Sequence, residues 1–182
     1  SADNTINSGG IDSSHNFNNL VIAKNNATTT LNSYGIGIEG DLIVEANSVF
    51  DVSSNNYTIN SGGSWNNLGV FEARAGAVIF DSSNLLNTVD NGVSAFYDID
   101  FDNMSGGWVV WDDIVIENDF NLSNVSSFVA SSSIQIEVRG AFTNDAGGVN
   151  TNWNQSNLFL NGDDTLINSK VTGSDTYYDL TI

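Results

Sequence analysis

Residues 40–59 hold three short apolar runs: Leu42-Ile43-Val44, Val49-Phe50-Asp51-Val52 and Tyr57-Thr58-Ile59. Small and polar residues separate them. About 21 residues later the layout returns as Trp65, Val70-Phe71 and Val78-Ile79-Phe80. Three mini-strands recurring every 21–22 residues are what one coil of a three-sided β-solenoid requires. This period constrains the chain more than any other feature.

Alternation places alternate side chains of each run inside the coil. Leu42, Val44, Phe50, Val52, Tyr57 and Ile59 are expected inward. Ile43, Asp51 and Thr58 are expected outward. Successive coils would stack about 4.8 Å apart in parallel, like over like. Leu20 is expected over Leu42, Ile38 over Ile59, Phe120 under Phe142, Phe128 under Val149 and Ile136 under Leu158. No such coil is stable alone, because each covers its neighbour's apolar face. Corners need positive φ or side-chain-to-backbone bonds, which Ser54-Asn55-Asn56, Asn60-Ser61-Gly62-Gly63 and Asn161-Gly162 can supply. Helix periodicity is nearly absent.

A longer period lies over the short one. Phe17-Asn-Asn-Leu20-Val-Ile22 returns as Phe96-Tyr-Asp-Ile99-Asp-Phe101 and as Tyr177-Tyr-Asp-Leu180-Thr-Ile182, at spacings of 79 and 81. Ile36, Ile38, Asp41 and Leu42 correspond to Ile114, Ile116, Asp119 and Phe120, and Trp65 to Phe142. Residues 1–22 match 161–182. The reading is an all-β, right-handed parallel β-helix forming one segment over 1–182. It has one repeat at about 1–81, a second at about 82–161 and a partial third at 162–182. Handedness rests on the general rule for parallel crossovers. Each repeat is expected to hold two regular coils and one long coil. The long coil would run from Trp65 to Ile99, with extra residues projecting at 81–95 and again at 161–176. The rival architecture is two Ig-like β-sandwiches in tandem. It leaves the 21–22-residue period unexplained and has no linker.

Of the 182 residues, 40% are hydrophobic, Cys and Pro are absent, and the formal charge is −18. Lys24, Arg74, Arg139 and Lys170 are the only basic residues. This argues against nucleic acid, whose binding rests on Lys and Arg replacing counterions, and against anionic membrane surfaces. A solvated acidic exterior is expected, one that attracts cations. No basic-then-apolar leader pattern and no apolar run near 18 residues is present, so neither a signal peptide nor a membrane span is expected within these residues. Absence of cysteine fits a solenoid that needs no disulfide staples.

Candidate chemistry is sparse. Asp98, Asp100 and Asp102 alternate with Ile99 and Phe101, so three carboxylates share one strand face and offer a place for Ca²⁺. An EF-hand starting at Asp98 would need Gly and Glu where Asn103 and Val109 stand. The competing reading is an outward polar face, with no cofactor. The pairs Asp112-Asp113 and Asp163-Asp164 read as turns. His15 is the only histidine, so no His-rich metal site is available, and its polar surroundings Ser13-Ser14-His15-Asn16 read as an exposed stretch and not as a Ser-His-Asp triad. No opposed carboxylate pair is marked for glycoside hydrolysis, and an enzyme is not expected. Trp108 and Trp111, three apart in a strand, point to opposite faces, so one should be exposed to a glycan or protein. Trp65 should be core. Asp90 and Asn91 on the projecting loop, and Tyr177 and Tyr178 near the end, complete the candidate interaction residues.

The strand Tyr177-Tyr-Asp-Leu-Thr-Ile182, with Gly40-Asp-Leu-Ile-Val44 and Gly62-Gly-Ser-Trp-Asn-Asn-Leu-Gly-Val-Phe71, resembles phrases of long repetitive extracellular proteins of Bacteroidota and uncultured bacterial lineages. The resemblance spans essentially the whole chain and is carried by structural motifs. It implies a parallel β-helix in a surface protein, adhesin or filament, and it carries no catalytic residues. Both ends fall within the repeat and neither shows a cap. The expectation is either a window from a longer repeat protein or head-to-tail stacking of identical subunits. The functional expectation is an extracellular, cell-surface structural building block that stacks end to end. The alternatives are an adhesin segment that binds glycans or surfaces through loops, and a polysaccharide-acting enzyme.

Overall fold

The computed structural model describes residues 2–162, 167–169 and 175–182. Among them there is no helix, and paired strands run parallel throughout. The chain winds in about eight turns of about 22 residues, a β-solenoid. Tandem sandwiches, whose sheets are antiparallel, are excluded.

The strands form three faces, visited in a fixed order. The first face holds Asn4–Ile6, Ala27–Leu31, Ser48–Asp51 and Val70–Glu72, then Ala95–Phe96, Ile114–Ile116, Gln135–Val138, Asn157–Leu160 and Asp179–Thr181. The second holds Ile36–Ile38, Ile59–Ser61, Ala77–Phe80, Phe142–Asn144 and Ile167–Ser169. The third holds Leu20–Ile22, Leu42–Val44, Trp65–Asn67, Asn87–Asp90 and Thr151–Asn152. Two long strands, Asp98–Val110 and Phe120–Ala130, run along the second face, round the corner and onto the third. On the first face the ladder breaks between Val70–Glu72 and Ala95–Phe96. Continuity there comes from Phe71 and Phe96, 6.0 Å apart, and from the Phe71 N–H, which donates to Ser94 Oγ at 2.9 Å.

Alternation delivers the core. Leu42, Val44, Phe50 and Ile59 are buried, while Ile43 and Asp51 face outward and are half-buried. Inward aromatics build a column through the middle: Phe80 on Phe101 at 4.8 Å, Phe101 on Phe120 at 6.1 Å, Phe120 on Phe142 at 5.1 Å. Such pairs add about 0.5–1.5 kcal/mol each beyond their area burial. Trp65 is fully buried, as its match with Phe142 predicts.

The sharpest corners share one device. An Asx residue just before a strand, or at its first position, accepts a backbone N–H from the next coil. Asn19 Oδ1 takes the N–H of Asp41 at 2.8 Å, and Asp41 Oδ1 takes that of Ser64 at 2.8 Å. Asp98 Oδ1 takes the N–H of Asp119 at 3.0 Å, and Asp119 Oδ1 takes that of Ala141 at 2.9 Å. Glycine is required beside it: a Cβ on Gly63 would lie 2.4 Å from the carbonyl carbon of Gly40, and one on Gly140 would lie 2.4 Å from Asn118 O.

The expected long coil does not exist. Residues 87–90 form a regular strand of the third face, with Val89 paired to Trp65 below and Val110 above. Trp65 to Ile99 is therefore not one coil with a projecting insert. It is one coil and two-thirds, from the third face to the second. Only residues 82–86 make a wider corner, and the counterpart at 161–176 lies largely outside the described residues.

The long sequence period explains the difference. The phrase led by Phe17 puts Leu20 on the third face, over Leu42. Its copy led by Phe96 puts Ile99 on the second face, and the copy led by Tyr177 puts Leu180 on the first. Each repeat advances three coils and two-thirds, so the same words land one face back each time.

Two registers also differ from expectation. Ile38 pairs with Ser61 and Ile36 with Ile59, because the turn at Ser53 and Asn56, both at positive φ, delays the strand by two residues. Tyr57 accordingly stays half-buried at the corner, its hydroxyl donating to Asn32 O. Phe128 pairs with Thr151, not Val149; a turn closed by Asn150 N–H donating to Gly147 O leaves Val149 almost fully exposed at its tip.

Candidate functional site

Charge is unevenly spread over the corners. Both arginines sit between the first and second faces. Arg74 holds Asp51 through two bonds of 3.1 Å, and Arg139 reaches Glu117 and Glu137. Glu137 is held below the usual carboxylate range by Asn161 and Arg139. Among the described residues, the corner between the second and third faces carries Glu39, Asp41, Asp81, Asp102 and Asp145 and no Lys or Arg.

Where that corner widens, Glu39, Asn60, Asp81, Ser82 and Asn103 line a polar groove of about 190 Å³. Asn60 Nδ2 donates to Asp81 Oδ2 at 3.1 Å, and Asn103 Nδ2 donates to Asp81 O at 2.6 Å. Burial pushes the Asp81 carboxyl up, and the charges of Glu39 and Asp102 add to the effect. Asp81 was not singled out in the sequence. The signal was there, in Phe80-Asp81 stacked under Phe101-Asp102 with the same inward-outward order.

Asp98, Asp100 and Asp102 do share the outward side of one strand, yet they are not brought together around a cation. Asp98 receives Asn118 Nδ2 at 2.7 Å and the Asp119 N–H, so it is a corner device. Asp102 receives Asn124 Nδ2 at 2.7 Å. Asp100 lies between Ile79 and Asn121, and burial raises its carboxyl against an opposing Ser123 hydrogen bond. Among the described residues no group of three or more His, Cys, Asp or Glu is placed to hold a metal ion. Asp113 of the Asp112-Asp113 pair caps the next coil by accepting the Gln135 N–H at 2.7 Å. Asp163-Asp164 lies outside the described residues. His15 is engaged by Asp12 at 2.9 Å, and hydrogen bonds from Ser14 and His15 lower Asp12 to about 2.

The tryptophans divide as their spacing predicts. Trp108 is buried against Phe101 at 5.3 Å and offers nothing to a ligand, which removes it from the interaction residues. Trp111 is 58% exposed on the third face, in register above Asp90 and below Ser131. Asn91 is likewise withdrawn. It is buried, accepting Trp65 Nε1–H at 2.9 Å and donating to Ser94 O. This internal Asn67–Asn91–Ser94 cluster left no trace in the apolar pattern, because its polar members occupy inward positions. Asp90 is half-buried and accepts the Gly92 N–H that closes its turn.

Within the described residues the first and last coils each have one neighbour. Among the described residues, Asn4–Ile6 pairs only with Ala27–Leu31, and Leu20–Ile22 only with Leu42–Val44. At the other end Asp179–Thr181 pairs, within the same set, only with Asn157–Leu160. Phe17 is 37% exposed, Val21 50%, Leu180 41% and Ile182 85%. Tyr177 packs on Trp153 at 5.3 Å, while Tyr178 is exposed. Together with Trp153 and Thr151 they border a groove of about 420 Å³.

No protein-family model, curated protein or solved structure matches the chain. No helix among the described residues is long and apolar enough to cross a membrane.

Proposed function

We propose that the chain is a structural β-solenoid module of an extracellular, cell-surface filament or stalk, acting by end-to-end stacking of its terminal coils. One observation carries this reading: about eight coils stack in parallel with like residues in register, Leu20 over Leu42 and Phe120 under Phe142, so the ladder of one coil accepts a further coil of the same kind. The edge of such a ladder templates another strand, and a heterologous contact of this kind propagates without closing. The likeness of its repeat phrases to those of repetitive bacterial surface proteins supports the location. The single histidine and the lack of cysteine support a role without enzymatic activity. Electron microscopy of the purified chain at high concentration tests the proposal. Filaments of uniform width are expected; discrete short rods at every concentration would contradict it.

A second reading, glycan adhesion, rests on Trp111, which stands exposed on the third face in the coil next to Asp90. Binding on a glycan array that is lost in Trp111→Ala is its expected signature, and a blank array with the wild-type chain removes it.

A further inference from the structure

The corner between the second and third faces widens at residues 82–86, and there it turns apolar side chains outward. Leu85 is 55% exposed and Leu86 88%. In the next coil of the same corner, Met104 is 79% exposed. A single exposed leucine is ordinary, whereas three large apolar residues on adjacent coils of one corner are not. They lie in the middle of the winding, on its side, and the core uses none of them.

No slack loop carries them. Asn84 O accepts the Gly107 N–H and Asn87 Nδ2–H, both at 2.8 Å. Ser82 Oγ accepts the Asn84 N–H at 3.1 Å. Asn103 Nδ2 donates to Asp81 O at 2.6 Å, while Asn103 Oδ1 accepts the Ser105 N–H at 3.0 Å. Gly107 lets the two coils close up, since a Cβ there would lie 2.8 Å from Leu85 O. The backbone is thus pinned with both leucines and Met104 already facing solvent, which reduces the ordering cost of a contact. Beside Met104 lies a groove of about 330 Å³, walled by Asn124, Val125, Asp145 and Ala146. That volume admits a large apolar side chain.

We infer that this ridge is a docking surface for a basic polypeptide, one that presents an apolar anchor flanked by Lys or Arg. Charge decides the occupant. Asp81, Asp102 and Asp145 rim the ridge, and among the described residues this corner carries no Lys or Arg to neutralise them. An apolar centre with a polar, charged rim is the layout of a protein recognition surface. A second copy of the chain would bring the same carboxylates face to face, which disfavours it. An anionic lipid surface is repelled in the same way. A cationic partner gains twice: its anchor covers Leu85, Leu86 and Met104 while its charges meet the rim. The inference goes beyond end-to-end stacking and is independent of it, because the ridge lies along the side of the rod.

Selection of a random peptide library on the wild-type chain tests it, with the recovered peptides then measured on variants. Both leucines are exposed, so Leu85→Ser/Leu86→Ser should keep the wild-type melting temperature; Leu86→Ser alone is the second variant. Recovered sequences should pair an apolar residue with neighbouring Lys or Arg. They should bind the double variant about tenfold more weakly. Asp102→Asn/Asp145→Asn should also weaken them and flatten the dependence on salt. No recovered binder, or binders that are neutral or acidic, would overturn the inference. Equal affinity for the double variant would do the same, by reducing the binding to bulk charge. So would self-association in sedimentation, or capture by phosphatidylcholine vesicles, that disappears in the double variant: the ridge then belongs to a second copy or to lipid.

Discussion

Residues 36–67 and 114–144 carry the same phrase on different walls of the solenoid. In the first region the sharp corner at Glu39-Gly40-Asp41 joins the second face to the third. In the second region its counterpart Glu117-Asn118-Asp119 joins the first face to the second. The Asx bond to the next coil is the same in both, at 2.8 and 2.9 Å, and so is the close approach at Gly63 and Gly140. Nothing in the phrase specifies a wall. It specifies a strand, a sharp corner and a strand, and the winding decides where they fall. A three-walled tube with equivalent walls tolerates a repeat that is not a whole number of turns. The repeat then moves its corners round the rod by one wall at a time.

If the two regions are equivalent, matched substitutions should have matched effects. The largest concern the core. Phe50 on the first face and Phe128 on the third are both fully buried. Truncation of either to Ala should cost about 3–5 kcal/mol, with urea midpoints shifted alike; a shift confined to one region would break the equivalence. Next come the corners. Gly63→Ala and Gly140→Ala each drive a Cβ into backbone 2.4 Å away. Each should lose about 1–3 kcal/mol as overpacking does, read from the same denaturation curves. Asp41→Ala and Asp119→Ala remove one charge-assisted bond to a backbone N–H apiece. About 1–2 kcal/mol each is expected, and a loss of Tm in one but not the other would mark a real difference between the corners.

The smallest effect is a pH dependence on one wall. Burial raises the Asp100 carboxyl in the folded chain. Its protonated form is thus the better tolerated one. Its favourable contribution is present at low pH, fades as pH rises from the ordinary carboxylate value through the folded value, and is absent above it. Asp100→Asn should raise Tm by about 1–2 °C at pH 7. The gain should disappear at about pH 3, where wild type is protonated too. A gain that persists at acid pH would assign it to a hydrogen bond between the introduced amide and Asn121, and not to charge.

Much of this fold was legible in the sequence. Strand alternation gave the inward set Leu42, Val44, Phe50 and Ile59, and the 22-residue steps Leu20 to Leu42, Phe120 to Phe142 and Ile136 to Leu158 hold in register. Corners were less legible, because the turn at 53–56 is lengthened by positive φ at Ser53 and Asn56 and by Asp51 and Ser53 side-chain oxygens that accept the Ser53 and Asn55 N–H groups, which apolar periodicity does not record. A long coil follows only if like words, Trp65 and Phe142 or Leu20 and Ile99, must occupy the same wall, and they do not. They stack only when a repeat is a whole number of turns. The candidate interaction residues fared by burial. Trp111 and Tyr178 are on the surface, whereas Trp108 and Asn91 point inward, a distinction set by strand register rather than by residue type.

The fractional repeat is open to a direct distance test. Continuous winding sets Asn66 in register with Asp90. A long coil with a projecting loop would instead set Asn66 beside Asp100. With no native cysteine present, Asn66→Cys/Asp90→Cys and Asn66→Cys/Asp100→Cys can be oxidised in parallel and read by mass spectrometry. The account predicts an intramolecular disulfide in the first pair and none in the second. The reverse result would contradict it.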